Sequence, residues 1–476
     1  MLNEVRIVKM PLERYRGVVS EEFLTAALEL GEALRKQLYG RVIWNINSTA
    51  AGGGVAEMLH RLVGYGRGMG MDSRWLVVSG DEEFFRITKR LHNALHGAEG
   101  DGSELGPAEH EHFEAVAAAN FAELSERVGP RDVFILHDPQ TAGLIPHLLE
   151  IGAAIIWRCH VGTEDVNDNG RLGWGFLKPY ITKARVAVFS REEYVPDYFP
   201  VARVRVIPPN IDPFSPKNQE LSEQNVHGIV THAGFTRDGI DTTHRAYTLP
   251  DGSPGRVERR VSFVRVGDPP AFDSRLVTQV SRWDRLKDPV GVMRGFESYA
   301  EAGGPAVQDV HLVLAGPQCA AVSDDPEGLE VFDEVVDAWG KLHHDVRRRV
   351  HLASIPMDDV EENAAIVNAL QRHSAVVVQK SIQEGFGLTV TEALWKGRPV
   401  LASAVGGIQD QIADRENGVM IQDPTSTSEF AEALAWLLTD ADRAARIGVA
   451  ARERVRERFL GLGSLMSWGE ILSETV

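Results

Sequence analysis

Two glutamates, Glu384 and Glu392, stand eight positions apart in SIQEGFGLTVTEALWKG, residues 381–397, on either side of Gly385 and Gly387. A carboxylate offers charge-assisted acceptors to vicinal hydroxyls, which suits sugars and ribose. Just upstream, AVVVQKS reads as a buried strand; the glycines then make a tight turn, and TVTEALWKG begins a helix that Gly397 and Pro399 stop. Amides in such a turn, here those of Gly385, Phe386, Gly387 and Leu388, combine with the helix dipole to favour an anion, most often a phosphate. The two acids therefore sit on the rim of a phosphate-sized pocket. Two readings of Glu392 stand. Thr389, three residues earlier, completes a T-x-x-E capping box in which the glutamate only satisfies helix amides; the alternative is a ligand contact. Glu384 lies outside the helix, where a carboxylate beside a donor-rich turn reads as an acceptor for ligand hydroxyls.

Other residues have matching chemistry. In QVSRWDRLKDP, residues 279–289, Arg282 and Lys287 follow a strand end and, with Asp284 in the turn, can converge on one anion; a solvated loop is the alternative. Gly52, Gly53 and Gly54 in NSTAAGGGVAEML permit close backbone approach before a helix, which suits pyrophosphate or a sugar. The spacing is neither G-x-G-x-x-G nor a P-loop, and an ordinary strand-to-helix turn stays open. His160 ends an apolar strand in RCHVG, where a hydrogen-bonded core histidine is the alternative to a contact residue. Asp138 in LHDPQ either orients a hydroxyl or caps a helix from Gln140. Glu57 is one turn into the glycine-loop helix, as a surface residue or a sugar contact. HEHFE at 110–114 has the wrong spacing for a zinc helix, and DAD at 440–442 lies between helices. No metal site or cofactor is expected, and cations with helix dipoles are left to neutralise a phosphate.

These residues need strands and helices to hold them. At 476 residues and 52.4 kDa the chain is too long for one core, so two domains are expected. Strand-like runs at 41–47, 73–80, 132–138, 153–161 and 184–190 alternate with helical patterns. VRVIPPNIDPFSPKN, with four prolines, reads as a linker, and a polar stretch at about 219–272 interrupts the alternation. It resumes with strands from 275, 310, 350, 374 and 398. The expected class is α/β, two doubly wound parallel-sheet (Rossmann-like) domains over 1–212 and 213–461, with the ligand in a deep interdomain cleft at the strands' carboxyl ends. The polar insertion falls in the second domain, and a last helix at about 462–476 is free to pack back on the first.

Composition narrows the partners. With 50 Lys+Arg against 68 Asp+Glu the formal charge is −18, the wrong sign for holding nucleic acid or an anionic membrane by the overall field. Two cysteines, Cys159 and Cys319, lie far apart in strand-like runs and argue against a disulfide framework, which fits a reducing cytoplasm. The start has no apolar signal core and no run approaches a membrane span.

Glu-x7-Glu around Gly-Phe-Gly-Leu-Thr resembles the donor-sugar motif of family-four retaining glycosyltransferases with the two-domain GT-B fold. SRWDRLKDP is similar to that family's diphosphate turn, and NSTAAGGGVAEML to its amino-domain glycine loop. HDPQTAGL and WRCHVGT resemble strand-end loops on the acceptor side. Together with AVGGIQDQI, the wording is most similar to the trehalose glycosyltransferring synthases. The resemblance spans nearly the whole chain in matching order. It implies a nucleoside-diphosphate glucose donor and free glucose as acceptor; the alternatives are a trehalose phosphorylase of the same fold or a family-four glycosyltransferase with another small acceptor, and whether the chain forms a homodimer is open. Arg282 and Lys287 then meet the diphosphate, Glu384 and His160 the donor sugar, Glu392 the ribose, and Gly53, Gly54 and Gly385 to Thr389 line the donor. Glu57 and Asp138 fall on the acceptor side.

Overall fold

The computed structural model describes residues 2–50, 53–99, 103–237, 242–303, 307–319 and 326–476; Gly52 of the glycine loop lies outside them. The chain divides into two compact units, one of residues 1–210 with 459–476 and one of 211–458.

The first unit is a doubly wound sheet. Its strands are β1 (Asn3–Glu4), β2 (Val42–Asn47), β3 (Asp72–Val77), β4 (Val133–His137), β5 (Ala154–Arg158), β6 (Val186–Phe189) and β7 (Val204–Val206). They lie in the order β1-β3-β2-β4-β5-β6-β7, parallel throughout except β1. The five expected strands form; β7, read as the start of a linker, is a sixth, three residues long. Helices α1 (Glu21–Gln37), α2 (Gly53–Gly68), α3 (Glu82–Leu95), α4 (Pro107–Leu124), α5 (Leu144–Glu150) and α6 (Asp168–Ile181) cover the sheet. Runs such as VFILH are buried at every position because helices flank both faces, which explains why they do not alternate.

The second unit repeats the plan. Its small antiparallel ladder of β8 (Ala246–Thr248) and β9 (Pro254–Arg256) precedes β10 (Ser262–Val264), β11 (Arg275–Val280), β12 (Val310–Pro317), β13 (Val350–Ile355), β14 (Val376–Gln379), β15 (Val400–Ser403) and β16 (Val419–Ile421). The main sheet runs β10-β13-β12-β11-β14-β15-β16, with only β10 antiparallel. Its helices are α7 (Glu223–Ala233), α8 (Pro289–Glu301), α9 (Pro326–Lys341), α10 (His344–Arg347), α11 (Val360–His373), α12 (Leu388–Trp395), α13 (Ile408–Gln411), α14 (Thr427–Thr439) and α15 (Ala441–Arg458). The described residues of the polar stretch at 219–272 contribute to the fold: α7 packs on α11, and Ile229, Val230, Ala233 and Phe235 join a core cluster with Leu276 and Ala365.

The last helix, α16 (Gly461–Thr475), packs on α1 and α2 of the first unit. Trp468, Ile471 and Leu472 enter a core cluster with Leu34, Leu38 and Ile43, and the Gln37 amide donates to the Ser473 carbonyl at 2.9 Å. Among the described residues no helix is long and apolar enough to cross a membrane.

Candidate active site

In a doubly wound sheet, ligands collect where strand order reverses, because the loops leaving two adjacent central strands depart toward opposite faces and leave a crevice. In the second unit this point lies between β11 and β14, which pair directly, Val277 with Val376 and Thr278 with Val377. The loops that follow carry Arg282 to Lys287 and Ser381 to Gly387. The Ile382 amide donates to the Leu286 carbonyl at 2.8 Å and ties them together.

Two of the expected residues, 97 positions apart, meet here: Lys287 Nζ donates to Glu384 Oε2 at 2.6 Å. Neither side chain is fully withdrawn from water, at 18% and 11% exposure, so the pair is placed to exchange partners with a ligand. Ser381 Oγ donates to the same carboxylate oxygen at 3.3 Å, and Gln379 Nε2 to Ser381 Oγ at 3.0 Å. Behind Lys287, Gln279 Nε2 donates to its carbonyl at 2.8 Å. Arg282 is different. Its side chain is 66% exposed and pairs with Asp284 at 3.6 Å, leaving it on the open side of the turn.

The glycine turn is fixed from below. Gly387 has a left-handed backbone (φ 83°) and serves as N-cap of α12 with no side-chain cap. The Val390 amide turns back to the Gly387 carbonyl at 2.9 Å, and no side chain caps the first turn, the arrangement in which a helix start favours an anion. The capping-box reading of Thr389 is corrected: the helix already begins at Leu388, so Thr389 is inside it, and its hydroxyl donates to Gln379 Oε1 at 3.1 Å. Gln411 Nε2 donates to the Phe386 carbonyl at 2.5 Å, and the Gly407 amide to the Gly385 carbonyl at 3.1 Å. Phe386 is itself buried beside Gly407.

Glu392 lies deeper than its spacing suggested. It is 3% exposed; Oε1 pairs with Lys217 at 3.3 Å, and Oε2 is buried without a hydrogen-bond partner among the described residues. A buried carboxylate oxygen left unpaired is costly and is usually completed by a ligand or water. Sequence reasoning passed over Lys217 and its neighbours. The Trp395 indole donates to the Asn218 carbonyl at 3.1 Å, and buried Lys396, its pKa drawn down by desolvation, donates to Asn218 Oδ1 at 3.2 Å. It also passed over Lys380, which is buried against Asp288, the N-cap of α8. A lysine closing a buried strand was the available signal.

In the first unit the reversal lies between β2 and β4. Asp138 follows β4 with φ 64°, an unfavourable backbone for a non-glycine residue and the kind of strain that collects at functional loops. Its carboxylate does not cap the turn at Pro139–Thr141. Oδ1 instead accepts from the His160 amide at 2.8 Å. Burial pushes the Asp138 carboxyl up to about 7, against the opposing pull of the His160 amide and Arg158. His160 lies two residues past β5, half-buried, and burial holds its imidazole well below the usual range. Its ring stacks near that of His137, Nε2 to Nδ1 at 3.1 Å. Gly53 and Gly54 begin α2, where Gly54 and Glu57 are exposed. No contact recorded among the described residues brings Glu57 to Asp138 or His160.

Residues 45–196 match a family model described as trehalose synthase, N-terminal domain, and residues 269–454 match glycosyl transferases group 1. The chain is 36% identical to a trehalose synthase of Rubrobacter xylanophilus over 97% of this chain and 96% of that one. It is 34% identical to a trehalose synthase of Pyrococcus horikoshii over 95% and 93%. A trehalose phosphorylase of Pleurotus pulmonarius is 25% identical over 96% of this chain but only 60% of its own length. Among solved structures, an α,α-trehalose-phosphate synthase (UDP-forming) from Burkholderia vietnamiensis superposes with a TM-score of 0.65 at 16% identity, covering 91% of this chain and 98% of that one.

Proposed function

The chain belongs to the trehalose synthase family of group 1 glycosyltransferases with the GT-B fold, and from that premise we propose that it makes trehalose by moving glucose from a nucleoside diphosphate glucose to free glucose, with retention of configuration. The observation that carries this reading is the Lys287–Glu384 pair at 2.6 Å, beside a helix N-terminus with no side-chain cap.

The ammonium of Lys287, the guanidinium of Arg282 and the amides at Gly385 to Leu388 receive the diphosphate as charge builds on its oxygens. Donors placed in advance for such charge contribute about 3–4 kcal/mol each. Glu384 exchanges its ammonium partner for donor hydroxyls, and Glu392 completes its free oxygen with a ribose hydroxyl. The anomeric C–O bond breaks with its electron pair passing to the diphosphate. An acceptor hydroxyl attacks from the face the diphosphate leaves, and its proton goes to the departing phosphate oxygen. Cations and dipoles neutralise the leaving group, so no divalent ion is required. Asp138 and Glu57 hold acceptor hydroxyls, and His160 contacts the donor sugar.

The test is to supply UDP-, ADP- and GDP-glucose separately, with and without glucose and with EDTA, while following nucleoside diphosphate and disaccharide. Glucose-dependent release matched by α,α-trehalose, and insensitive to EDTA, is expected. Release indifferent to glucose would overturn the acceptor, and turnover of trehalose only with inorganic phosphate would overturn the donor.

Asp138 gives a pH prediction. A carboxyl titrating at about 7 becomes a charge-assisted acceptor for the acceptor hydroxyl as it ionises, so kcat/KM rises through pH about 7 and this rise is absent in Asp138→Asn. Stability runs the other way. With the folded pKa raised, the neutral form is favoured in the native state; the stabilisation is full below about 4 and is lost as pH rises through about 7. Asp138→Asn therefore gains on the wild type between pH 5 and 8, by about 1–2 kcal/mol once the solvent-reached part of the carboxyl is allowed for. Thermal midpoints across that range measure it.

A further inference from the structure

We propose that His137 is a positioning residue which, with Asn45 behind it, holds His160 as the Nε2–H tautomer, so that His160 Nδ1 is a fixed acceptor for a hydroxyl of the bound sugar and not a donor to phosphate. The contact with donor sugar rests on the function proposed above; the tautomer does not.

The chain of polarity begins at Asn45 on β2, 1% exposed. Its Nδ2 faces the Arg74 carbonyl and Ser73 Oγ, each at 3.4 Å. A carbonyl only accepts, so the amide nitrogen must face it and Oδ1 must point the other way. Oδ1 lies 3.5 Å from Nε2 of His137, whose side chain is fully enclosed. That oxygen has no proton to give, so His137 carries its hydrogen on Nε2. Burial holds His137 neutral, down to about 3, which leaves Nδ1 as a bare lone pair. His160 Nε2 sits 3.1 Å from that lone pair and must supply the proton. A neutral imidazole has one N–H, so His160 Nδ1 is then an acceptor. Meanwhile Asp138 fixes the His160 backbone through its amide at 2.8 Å. The reverse tautomers would set His137 Nε2 and Asn45 Oδ1 lone pair to lone pair in a buried site. A group behind a functional histidine thus selects its tautomer, as the groups behind metal-bound histidines do.

The consequence is selectivity by chemical class. A lone pair on the ligand-facing nitrogen welcomes a hydroxyl and repels phosphate oxygens.

The experiment uses the full chain with ¹⁵N-histidine, His160 being assigned by loss of its signals in His160→Gln, and reads the tautomer by long-range ¹H–¹⁵N correlation at pH 7.5. The Nε2–H form is expected; the Nδ1–H form, or a doubly protonated ring, would overturn the relay. UDP-glucose is expected to shift His160 Nδ1 while UDP alone does not, and an equal response to UDP would overturn the hydroxyl assignment. Silence toward UDP-, ADP- and GDP-glucose alike would overturn the donor contact, a failure separate from that of the relay. His137→Phe is expected to leave His160 in mixed tautomers and to lower kcat/KM for the donor tenfold or more. His137→Asn, which returns an acceptor oxygen near the Nδ1 position, restores it to within about threefold. Equal activity of the Phe and Asn variants, at equal thermal midpoints, would also overturn the relay.

Discussion

Lys287→Ala is expected to lower turnover about 10²–10³-fold while the protein stays folded. The magnitude follows from removing one preorganised donor from a site of developing charge, about 3–4 kcal/mol. The fold loses much less. The partner left behind, Glu384, keeps the Ser381 hydroxyl at 3.3 Å and some contact with water, so about 1 kcal/mol of stability is at stake. Turnover with nucleotide sugar and glucose, set beside the thermal midpoint, separates the two effects. Wild-type turnover in a folded variant would remove Lys287 from the chemistry, and a large drop in midpoint matching the drop in rate would make the pair structural.

Gly406→Ala is expected to weaken nucleotide binding at least 100-fold and to cost about 3 kcal/mol of stability, although the residue touches no ligand in the proposed mechanism. Gly406 has φ 48°, and a Cβ there would come within 1.7 Å of the Glu384 carbonyl oxygen. The obstacle is backbone, so no rotamer relieves it, and the turn bearing Glu384, Gly385 and Phe386 must shift. Gly340→Ala is the control: nothing lies within 4 Å of its Cβ, and in α9 the change is expected to be neutral or stabilising by up to about 1 kcal/mol. Nucleotide affinity by calorimetry decides the matter. Unaltered affinity in Gly406→Ala would show that the turn tolerates displacement.

Much of this architecture was legible in the sequence, for reasons that particular residues make plain. Runs such as VFILH and AVVVQ announce strands because burial on two faces admits almost nothing but apolar and β-branched side chains. Lys287 and Glu384 were each legible as residues of strand-end turns, but their pairing was not, because it depends on β11 and β14 lying side by side in the sheet. The start of α12 was not legible. T-x-x-E around Thr389 is a valid cap signal, but the left-handed Gly387 caps the helix two residues earlier and leaves Glu392 for Lys217. That partner comes from a segment 175 positions upstream that reads as a proline-rich linker. Asn45 and His137 also escaped notice, since a polar residue inside an apolar strand does not disclose which side chain it will face.

The first unit is discontinuous: residues up to 210 need 459–476 to complete it, with all of the second unit encoded between. On a ribosome, synthesis runs from the amino end, so the face formed by Leu34, Leu38 and Ile43 has to wait, uncovered, through the translation of some 250 residues before Trp468 and Leu472 arrive. The second unit has its own sheet and core and can close in that interval. The order of completion is thus the reverse of the order of appearance, and the unit made first is the one exposed longest to chaperones and to aggregation.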